Sequence, residues 1–337
     1  MPTHRAVRVH SGGGPLELAD VETQPPGRDE VRLAVTACGI CGTDREFVQG
    51  HFPNMSWPLT PGHEIAGTIA ELGAGVEGFA VGDRVAVGWF GGCCYHCDPC
   101  RKGMFIHCAN GKVPSWHYPG GYAESVTVPV SALARIPSEL SDAEAAPMGC
   151  AGVTTYNALR HTKALPGDRV AVLGVGGLGH LGVQFARAMG FETIAVARGT
   201  AKADDARKLG AHHYVDSTGG DVAEALQALG GVAVVLATAG NSAAMADTVG
   251  GLLPRGELIT IGVTADPLPI SPMQLIAPGI SVTGHPSGTA KDIEDTMHFA
   301  VVSGVRAWIE ELPLSQAADG YAALERGRAH YRTVLTV

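Results

Sequence analysis

The sequence predicts a mixed α/β protein in which a β-rich, loop-rich region precedes a doubly wound parallel sheet. Up to about residue 147, short apolar runs alternate with Gly and Pro, whereas strand and helix patterns alternate after Cys150. The length of 337 residues suggests about two domains, and 45 % hydrophobic residues suffice for sizeable cores. The 46 glycines follow no three-residue period, which excludes collagen and indicates many tight turns.

Charge and cysteine content narrow the function. Asp and Glu (33) outnumber Lys and Arg (24), and the resulting net charge of −9 is scattered along the chain. A mildly acidic chain of this kind is a poor candidate for binding nucleic acid or an anionic membrane. Neither a secretory signal nor an apolar run of about 18 residues is visible, so we expect a cytoplasmic protein. In that reducing compartment, eight cysteines indicate metal binding rather than disulfides.

Hydrophobic periodicity predicts the elements in order. The predicted strands are 31–37, 65–72, 84–88, 169–174, 193–197, 213–216, 232–239, 257–263, 280–283 and 332–337. The predicted helices are 180–189, 200–209, 222–229, 290–303 and 315–326. Strands that alternate with helices are typical of a parallel, doubly wound sheet. We expect one domain at 1–147 and a second at 148–286, with residues 287–337 returning to the first.

Four regularly spaced cysteines predict a structural zinc site. One fifteen-residue loop supplies four thiolates, from Cys94, Cys97, Cys100 and Cys108. A tetrahedral zinc ion with four sulfur ligands has no open position for chemistry. Cys93 adjoins Cys94 and could replace it as the first ligand, but the regular two-residue spacing favours Cys94.

Three further residues predict a second metal site with one open position. Cys41 lies in CGICGTD, His63 in PGHE and Cys150 in MGCAGVTTY. Two thiolates and one imidazole leave room for a water or a substrate oxygen on zinc, which is typical of a catalytic site. Asp44 is placed to hold an imidazole N–H of His63, and Thr43 to carry away a hydroxyl proton. Each residue taken alone also fits packing, a core hydrogen bond or a turn.

A glycine-rich turn predicts a dinucleotide site. Gly174, Gly176 and Gly179 of GVGGLG, which also contains Gly177, fit the pattern GxGxxG. The turn follows a predicted strand and opens a predicted helix, so a pyrophosphate can rest on the helix N-terminus.

The next strand predicts the choice of coenzyme. It ends in Ala197-Arg198-Gly199, where a carboxylate that holds the adenosine ribose hydroxyls is normally found. A guanidinium at this place suits a 2′-phosphate, with Lys202 as a helper. We therefore expect NADP, and NAD is the alternative if Arg198 only stacks on the adenine.

Together these motifs resemble those of the zinc-dependent medium-chain alcohol dehydrogenases of the bacterial and yeast type. The resemblance runs from the N-terminus to the last strand. It includes the zinc signature from Gly62 to Val76, the four-cysteine lobe, GVGGLG and the ending EELPLSQAADGYAALERG. It implies a GroES-like catalytic domain, a Rossmann coenzyme domain and an active site in the cleft between them.

The resemblance also implies roles for individual residues. Cys41, His63 and Cys150 match the catalytic zinc ligands. Glu64 matches a carboxylate that can approach the metal, and Thr43 matches the hydroxyl that starts the proton relay. The remaining implied contacts are Thr154 and Leu178 for the nicotinamide, Gly262 and Val263 for the coenzyme, and Trp57 and Trp89 for the substrate pocket.

Two positions bear on the reaction. Well-known members of the family end the proton relay at a His three residues beyond the Thr, whereas this chain has Glu46, so we expect His51 or solvent to complete it. Polyol dehydrogenases of the family usually replace the third zinc ligand with a carboxylate. The presence of Cys150 therefore favours simple alcohols and aldehydes over sugar alcohols.

The predicted function is the reversible oxidation of a small-molecule alcohol to its aldehyde or ketone. Hydride passes to NADP or NAD, and each chain holds about two zinc ions. The alternatives are a zinc-independent quinone reductase of the same superfamily and a zinc-stabilised scaffold without activity. Residues 280–289 resemble the family's edge strand, which pairs across a two-fold axis, so we expect a homodimer or homotetramer.

Overall fold

The computed structural model describes residues 2–337. The strands are β1 (Thr3–Arg8), β2 (Glu17–Glu22), β3 (Glu30–Ile40), β4 (Ile65–Leu72), β5 (Arg84–Val87), β6 (Ser125–Pro129), β7 (Ala134–Arg135), β8 (Arg169–Leu173), β9 (Glu192–Ala197), β10 (His213–Asp216), β11 (Val232–Ala237), β12 (Leu252–Thr260), β13 (Ser281–Gly284), β14 (Ile309–Pro313) and β15 (Arg332–Thr336). The helices are α1 (Gly42–Gln49), α2 (Asp98–Arg101), α3 (Asp142–Ala145), α4 (Ala151–Arg160), α5 (Gly179–Ala188), α6 (Ala203–Lys208), α7 (Val222–Ala228), α8 (Ser242–Ala246), α9 (Pro272–Ile276), α10 (Ala290–Ser303) and α11 (Ala317–Glu325).

Among residues 2–337, the structure contains no helix of the length and apolarity that a membrane span requires.

The chain divides into two compact units. The first contains the residues up to Val153 together with Ser287–Val302 and Arg306–Val337. The second contains Thr154–Pro286 and Ser303–Val305.

A seven-stranded sheet organises the first unit. Its strands follow the order β14-β15-β3-β4-β5-β7, and β6 pairs with β3. The long strand β3 is antiparallel to β4, β6 and β15. Cys38 of β3 therefore lies between Ile65 of β4 and Leu335 of β15. All three side chains are completely buried, so one core supports the end of β3 from both neighbouring strands.

A six-stranded parallel sheet organises the second unit, with the strand order β10-β9-β8-β11-β12-β13. All of its described strand pairs are parallel. The order reverses between β8 and β11, and ligands of open α/β sheets bind at such a switch point, beyond the carboxyl ends of the strands. GVGGLG follows β8 directly at this place.

Most predicted elements are present, with shifts at their ends. The strand predicted at 257–263 extends instead over Leu252–Thr260. The Ile261 and Gly262 amides both donate to the carbonyl of Ala237, which turns the backbone toward the end of β11. The helix predicted at 200–209 is limited to Ala203–Lys208.

Six of the α-helices within residues 2–337 were not predicted (α1, α2, α3, α4, α8 and α9), and two of these, α1 and α4, begin directly after Cys41 and Cys150. Helix α1 lies in the region where few helices were expected, and the Asp44 side chain closes its first turn on the Cys41 N–H. Helix α4 has the sequence AGVTTYNALR, whose Gly and β-branched residues have low helix propensity. Val153 and Thr155 are completely buried, so packing stabilises this helix despite its composition.

Candidate active site and metal centres

Four potential metal ligands converge beside the central sheet of the first unit. Ligand atoms of Cys41, His63, Glu64 and Cys150 all lie within 4.8 Å of one another. The sulfur atoms of Cys41 and Cys150 are 3.9 Å apart. Two Zn–S bonds of ~2.3 Å in a tetrahedron give a separation of about 3.8 Å. The structure therefore brings together the three residues that were predicted to hold the catalytic metal.

The pairing of β3 with β4 brings two of these ligands, Cys41 and His63, close together. Cys41 directly follows β3, and His63 lies two residues before β4. The two strands are antiparallel, with Cys38 opposite Ile65, so the end of β3 meets the start of β4. Cys150 arrives from elsewhere in the chain, at the end of the 3₁₀ turn formed by Ala146–Gly149.

His63 presents one unpaired ring nitrogen inside the cluster. Its Nδ1 lies 2.9 Å from Asp44 Oδ1, whereas its buried Nε2 forms no hydrogen bond within residues 2–337. Leaving such an atom without a partner costs about 1–3 kcal/mol, and a metal ion removes that cost. Burial lowers the pKa of His63, but the charges of Asp44 and Cys41 outweigh it and raise the pKa well above its usual value. The donor set and the free Nε2 both fit zinc.

The Asp44 carboxylate is completely buried and holds three donors. Oδ1 pairs with His63, while Oδ2 accepts hydrogen bonds of 2.8 Å from the Cys41 N–H and from the Tyr122 hydroxyl. Tyr122 is completely buried as well. The sequence indicated the role of Asp44 but not that of Tyr122, because nothing in GGYAE distinguishes it from an ordinary core tyrosine.

Glu64 forms a buried ion pair with Arg332, the first residue of β15. Burial raises the pKa of Glu64 to about 7, while the Arg332 guanidinium favours the ionised form. The second carboxylate oxygen, Oε2, is buried without a hydrogen-bond partner among the described residues. Arg332 was not predicted as a site residue, although a single arginine in the otherwise uncharged run RTVLTV was an available signal.

The predicted relay residues lie on and beside α1. Thr43 is in its first turn, and Glu46 follows three residues later on the same face. The Oε2 atom of Glu46 is 2.7 Å from Nδ1 of the exposed His51, and its Oε1 accepts hydrogen bonds from Arg45. The bond to His51, together with Arg45, lowers the pKa of Glu46. The residue that replaces the expected histidine thus anchors His51.

The two predicted substrate-pocket tryptophans differ in position. The Trp89 ring meets the His63 ring edge-on, with centroids 5.7 Å apart and planes at 87°. Trp57 instead packs against a small apolar cluster that includes Val48 and Leu59. No described ring contact links Trp57 to His63, so only Trp89 directly borders the metal cluster.

The four-cysteine lobe forms a second cluster in the first unit. Its sulfur atoms all lie within 4.8 Å of one another: Cys94, Cys97, Cys100 and Cys108. Asn110 Nδ2 donates to Cys94 Sγ at 3.4 Å, and this bond, followed by one from the His96 backbone, lowers the pKa of Cys94 to about 5. The Ala109 N–H donates to Cys97 Sγ at 3.4 Å. Four close thiols with amide donors fit a tetrahedral zinc ion.

In the second unit, GVGGLG forms the turn from β8 into α5. Gly174 has φ +91°, and a Cβ on Gly179 would lie 1.7 Å from the Gly174 carbonyl oxygen. A Cβ on Gly176 would meet no described atom within 4 Å. Gly174 and Gly179 are therefore needed by the turn itself, whereas Gly176 leaves the space that a pyrophosphate requires.

The end of β9 presents cationic rather than acidic side chains. Arg198 is exposed, and Lys202 Nζ donates to the Val175 carbonyl at 2.6 Å, which places Lys202 beside the glycine turn. Partial burial and the nearby Arg198 lower the pKa of Lys202. The nearby carboxylate of Asp216 accepts a 2.7 Å hydrogen bond from the Gly199 N–H, so that oxygen is already engaged.

The remaining predicted coenzyme residues are spread over the second unit. A Cβ on Gly174 would lie 3.1 Å from Ala239 Cβ, and one on Gly262 would lie 2.4 Å from the Ala239 carbonyl oxygen. Ala239 thus links Gly262 to the glycine turn. Val263 follows with a side chain that is 83 % exposed, while Thr154 is nearly buried in α4. Leu178 immediately precedes α5 and Ala197 ends β9.

Comparison with known proteins identifies the family. Residues 27–138 match the alcohol dehydrogenase GroES-like domain, and residues 177–301 match the zinc-binding dehydrogenase domain. The chain is 39 % identical to the alcohol dehydrogenase patD of Penicillium expansum, over 99 % of this chain and 97 % of that protein. The chain belongs to the zinc-dependent medium-chain alcohol dehydrogenases. It is an enzyme that interconverts alcohols and aldehydes, as the sequence predicted.

Solved structures of this family superpose over nearly the whole chain. The alcohol dehydrogenase of Aeropyrum pernix has a TM-score of 0.91 at 31 % identity and covers 99 % of this chain and 100 % of its own. An acetophenone reductase from Geotrichum candidum in complex with NAD has a TM-score of 0.88 at 27 % identity. The match covers 100 % of this chain and 98 % of that one. CAD from Helicobacter pylori, complexed with NADP(H), has a TM-score of 0.87 at 27 % sequence identity. The match covers 99 % of this chain and 98 % of that one. The predicted combination of a GroES-like domain and a Rossmann-like parallel sheet is confirmed.

Proposed function

We propose that this alcohol dehydrogenase uses a zinc ion at Cys41, His63 and Cys150 together with NADP as its coenzyme. The observation that carries the proposal is the buried Nε2 atom of His63, which has no hydrogen-bond partner within residues 2–337 and lies among two thiols. A core histidine normally satisfies both ring nitrogens. One nitrogen held by a carboxylate and one left free is the arrangement of a metal ligand.

When bound, zinc supplies a Lewis acid for the substrate oxygen, and the nicotinamide exchanges hydride with the carbinol carbon. The side chains of the protein orient the metal, substrate and coenzyme and transfer the substrate proton. Asp44 holds Nδ1 of His63 and so keeps Nε2 directed at the ligand cluster. Glu64 adds a carboxylate to that cluster, and Arg332 balances its charge in a buried environment.

The Thr43 hydroxyl accepts the proton of the substrate hydroxyl as it releases its own proton toward His51, and His51 gives up a proton to solvent. Thr43 precedes the buried Asp44 by one residue, and His51 is exposed to water. Glu46 fixes Nδ1 of His51, which leaves Nε2 for proton exchange. Turnover of His51→Gln is expected to fall mainly below neutral pH, where proton release becomes limiting, with added imidazole restoring part of it.

Trp89 forms the wall of the substrate site nearest the metal ligands. Its indole stands edge-on to His63 and is supported by the Phe47 ring at 6.1 Å. A wall of stacked rings, with the indole N–H as its single hydrogen-bond donor, favours apolar alcohols over sugar alcohols, because it can pair with at most one extra hydroxyl group. Trp57 forms a more distant part of the same pocket, with one side of its ring packed against the cluster that contains Val48 and Leu59.

NADP is favoured over NAD by the charges at the end of β9. Arg198 is exposed, and no ion pair joins it to a carboxylate within residues 2–337. One oxygen of Asp216 instead accepts a hydrogen bond from the Gly199 N–H. A guanidinium binds phosphate through two parallel hydrogen bonds, and Lys202 adds a second cation beside the turn.

The four-cysteine lobe holds a second zinc ion with a structural role. Cys94, Cys97, Cys100 and Cys108 supply four sulfur ligands and no open position. Each chain then binds about two zinc ions. The chain works in the cytoplasm, where these thiols stay reduced.

A homodimer or homotetramer forms through the exposed edge of the second unit. Strand β13 is at the end of its sheet, and Val282 is 37 % exposed. On the neighbouring α9, Met273 and Ile276 are 71 % and 74 % exposed. Such an edge favours strand pairing between copies. Light scattering is expected to show an oligomer that Val282→Lys dissociates.

One set of rate measurements tests the proposed function. The purified protein is assayed with NADP and NAD against primary, secondary, benzylic and allylic alcohols, and in reverse against the corresponding carbonyls. The proposal predicts zinc-dependent turnover with a lower KM for NADP. Turnover of a quinone without zinc would instead support a quinone reductase, and a protein with one zinc and no turnover would support a scaffold.

A further inference from the structure

The Tyr122 hydroxyl reaches the Asp44 carboxylate from outside the metal cluster. Its hydroxyl donates to Asp44 Oδ2 at 2.8 Å, and both residues are completely buried. Burial raises the pKa of Tyr122 well above its usual value, so the hydroxyl stays protonated and acts as a donor. The phenol is therefore a donor to Asp44 rather than an acceptor.

The backbone fixes the position of the Tyr122 ring. Its N–H donates to the Pro61 carbonyl at 2.9 Å, and its carbonyl accepts from the Val7 N–H at 2.8 Å. A Cβ on Gly62 would lie 2.4 Å from Tyr122 Cδ1, so the ring packs directly on the backbone that precedes His63. The tyrosine therefore contacts both the His63 loop and the carboxylate that orients His63.

We propose that Tyr122 is a positioning residue that holds Asp44 in the orientation that directs His63 Nε2 at the metal. The proposal rests on the zinc site described above. Within residues 2–337, Oδ2 of Asp44 receives two donors, from Tyr122 and the Cys41 N–H. Removing the phenol leaves the carboxylate with one anchor on that oxygen, and it can then rotate away from Nδ1. Loss of the partner that orients a ligating histidine weakens metal binding by about 10- to 100-fold.

A purely structural role makes a different prediction. A buried phenol needs some hydrogen-bond partner, and its loss would then lower the stability of the whole unit without selecting one metal site. The two zinc clusters of the same unit separate the two explanations. Tyr122 donates to Asp44, which orients His63 of the first cluster. The four cysteines of the lobe all lie within residues 94–108, and Tyr122 is not one of that cluster.

The test is Tyr122→Phe in the full chain, with zinc affinity of both sites measured by chelator competition. We expect zinc to bind about tenfold more weakly at the site of Cys41, His63 and Cys150, and with unchanged affinity at the four-cysteine lobe. When cobalt replaces the catalytic zinc, its absorption bands are expected to shift. Tyr118→Phe is the matched control, because that hydroxyl donates to the Gly91 carbonyl at 3.0 Å and does not touch Asp44. In Asp44→Asn, adding Tyr122→Phe is expected to have little further effect.

Three results would overturn the proposal: unchanged affinity and cobalt bands in Tyr122→Phe, equal weakening of both sites, or additive effects with Asp44→Asn. If Tyr122→Phe folds poorly, 3-fluorotyrosine at position 122 keeps the ring and changes the donor strength. The cobalt bands are then expected to shift, and unchanged bands would contradict the proposal. A wild-type chain that binds only the lobe zinc would refute the proposed function itself, which separates that failure from this one.

Discussion

Arg332 and Glu64 lie 268 positions apart in the sequence, yet they form an ion pair in which both side chains are almost completely buried. The arginine belongs to the last strand, and the glutamate is adjacent to His63 in the metal cluster. The C-terminal segment therefore supplies the counter-charge for the candidate active site.

Removing this arginine is expected to destabilise the protein strongly. Arg332→Met leaves the Glu64 carboxylate buried without its partner, and breaking such a pair costs about 3–5 kcal/mol. Denaturant unfolding of the zinc-loaded chain measures the effect. Arg207→Ala is the control, since its pair with Asp204 is exposed and its loss is expected to have little effect.

The double variant Arg332→Met with Glu64→Gln checks the cause. It removes both charges and is expected to recover part of the lost stability. If Arg332→Met alone unfolds at the wild-type denaturant concentration, the buried pair does not have the energetic role assigned to it.

Two alanine substitutions in one turn are expected to separate coenzyme binding from folding. Gly176→Ala introduces a methyl group into open space, so the melting temperature stays near wild type while affinity for NADP falls about tenfold or more. Gly179→Ala places its methyl group 1.7 Å from the Gly174 carbonyl oxygen, so stability falls as well. Thermal unfolding and coenzyme titration measure both. Tight NADP binding by Gly176→Ala would show that the pyrophosphate does not lie over this glycine.

Arg198 is expected to control the choice of coenzyme. Arg198→Ala removes the guanidinium proposed to bind the 2′-phosphate, so the KM for NADP rises about tenfold while the KM for NAD changes little. Steady-state rates with both coenzymes provide the measurement. Equal increases for both would indicate that Arg198 contacts the adenine instead.

Cys93 and Cys94 are neighbours with different expected roles. Cys94→Ser removes a ligand of the lobe, so the chain is expected to lose one zinc ion and to melt at a lower temperature. Cys93→Ser is the matched control, because Cys93 lies outside the four-sulfur cluster. Elemental analysis and thermal unfolding distinguish the variants. Loss of zinc from Cys93→Ser with full retention in Cys94→Ser would reverse the assignment.

Local patterns predicted the regular parts of this structure well. The strand Ile65–Leu72 and the helix Ala290–Ser303 have the predicted bounds, because apolar periodicity reports burial directly. Helix α4 was not predicted, because its sequence AGVTTYNALR has low helix propensity and the helix is stabilised by packing. The metal-ligating residue types were visible in the sequence, but their convergence depends on the pairing of β3 with β4.

The supporting residues of the site were harder to predict. Arg332 and Tyr122 act only through contacts with residues far away in the chain, and neither belongs to a spaced motif. Resemblance predicted Trp57 and Trp89 together as pocket residues, but it did not indicate that the Trp89 ring contacts His63. Side-chain contacts of this kind depend on tertiary packing, so the lone arginine in RTVLTV marks Arg332 as unusual but does not identify its partner.

The most direct test of the central claim is the zinc content and turnover of Cys150→Ser beside the wild type. The wild-type chain is expected to bind about two zinc ions and to oxidise alcohols, whereas the variant retains about one zinc ion, keeps its fold and loses turnover. A variant that turns over at the wild-type rate with one zinc ion per chain would contradict the claim that Cys41, His63 and Cys150 hold the catalytic metal.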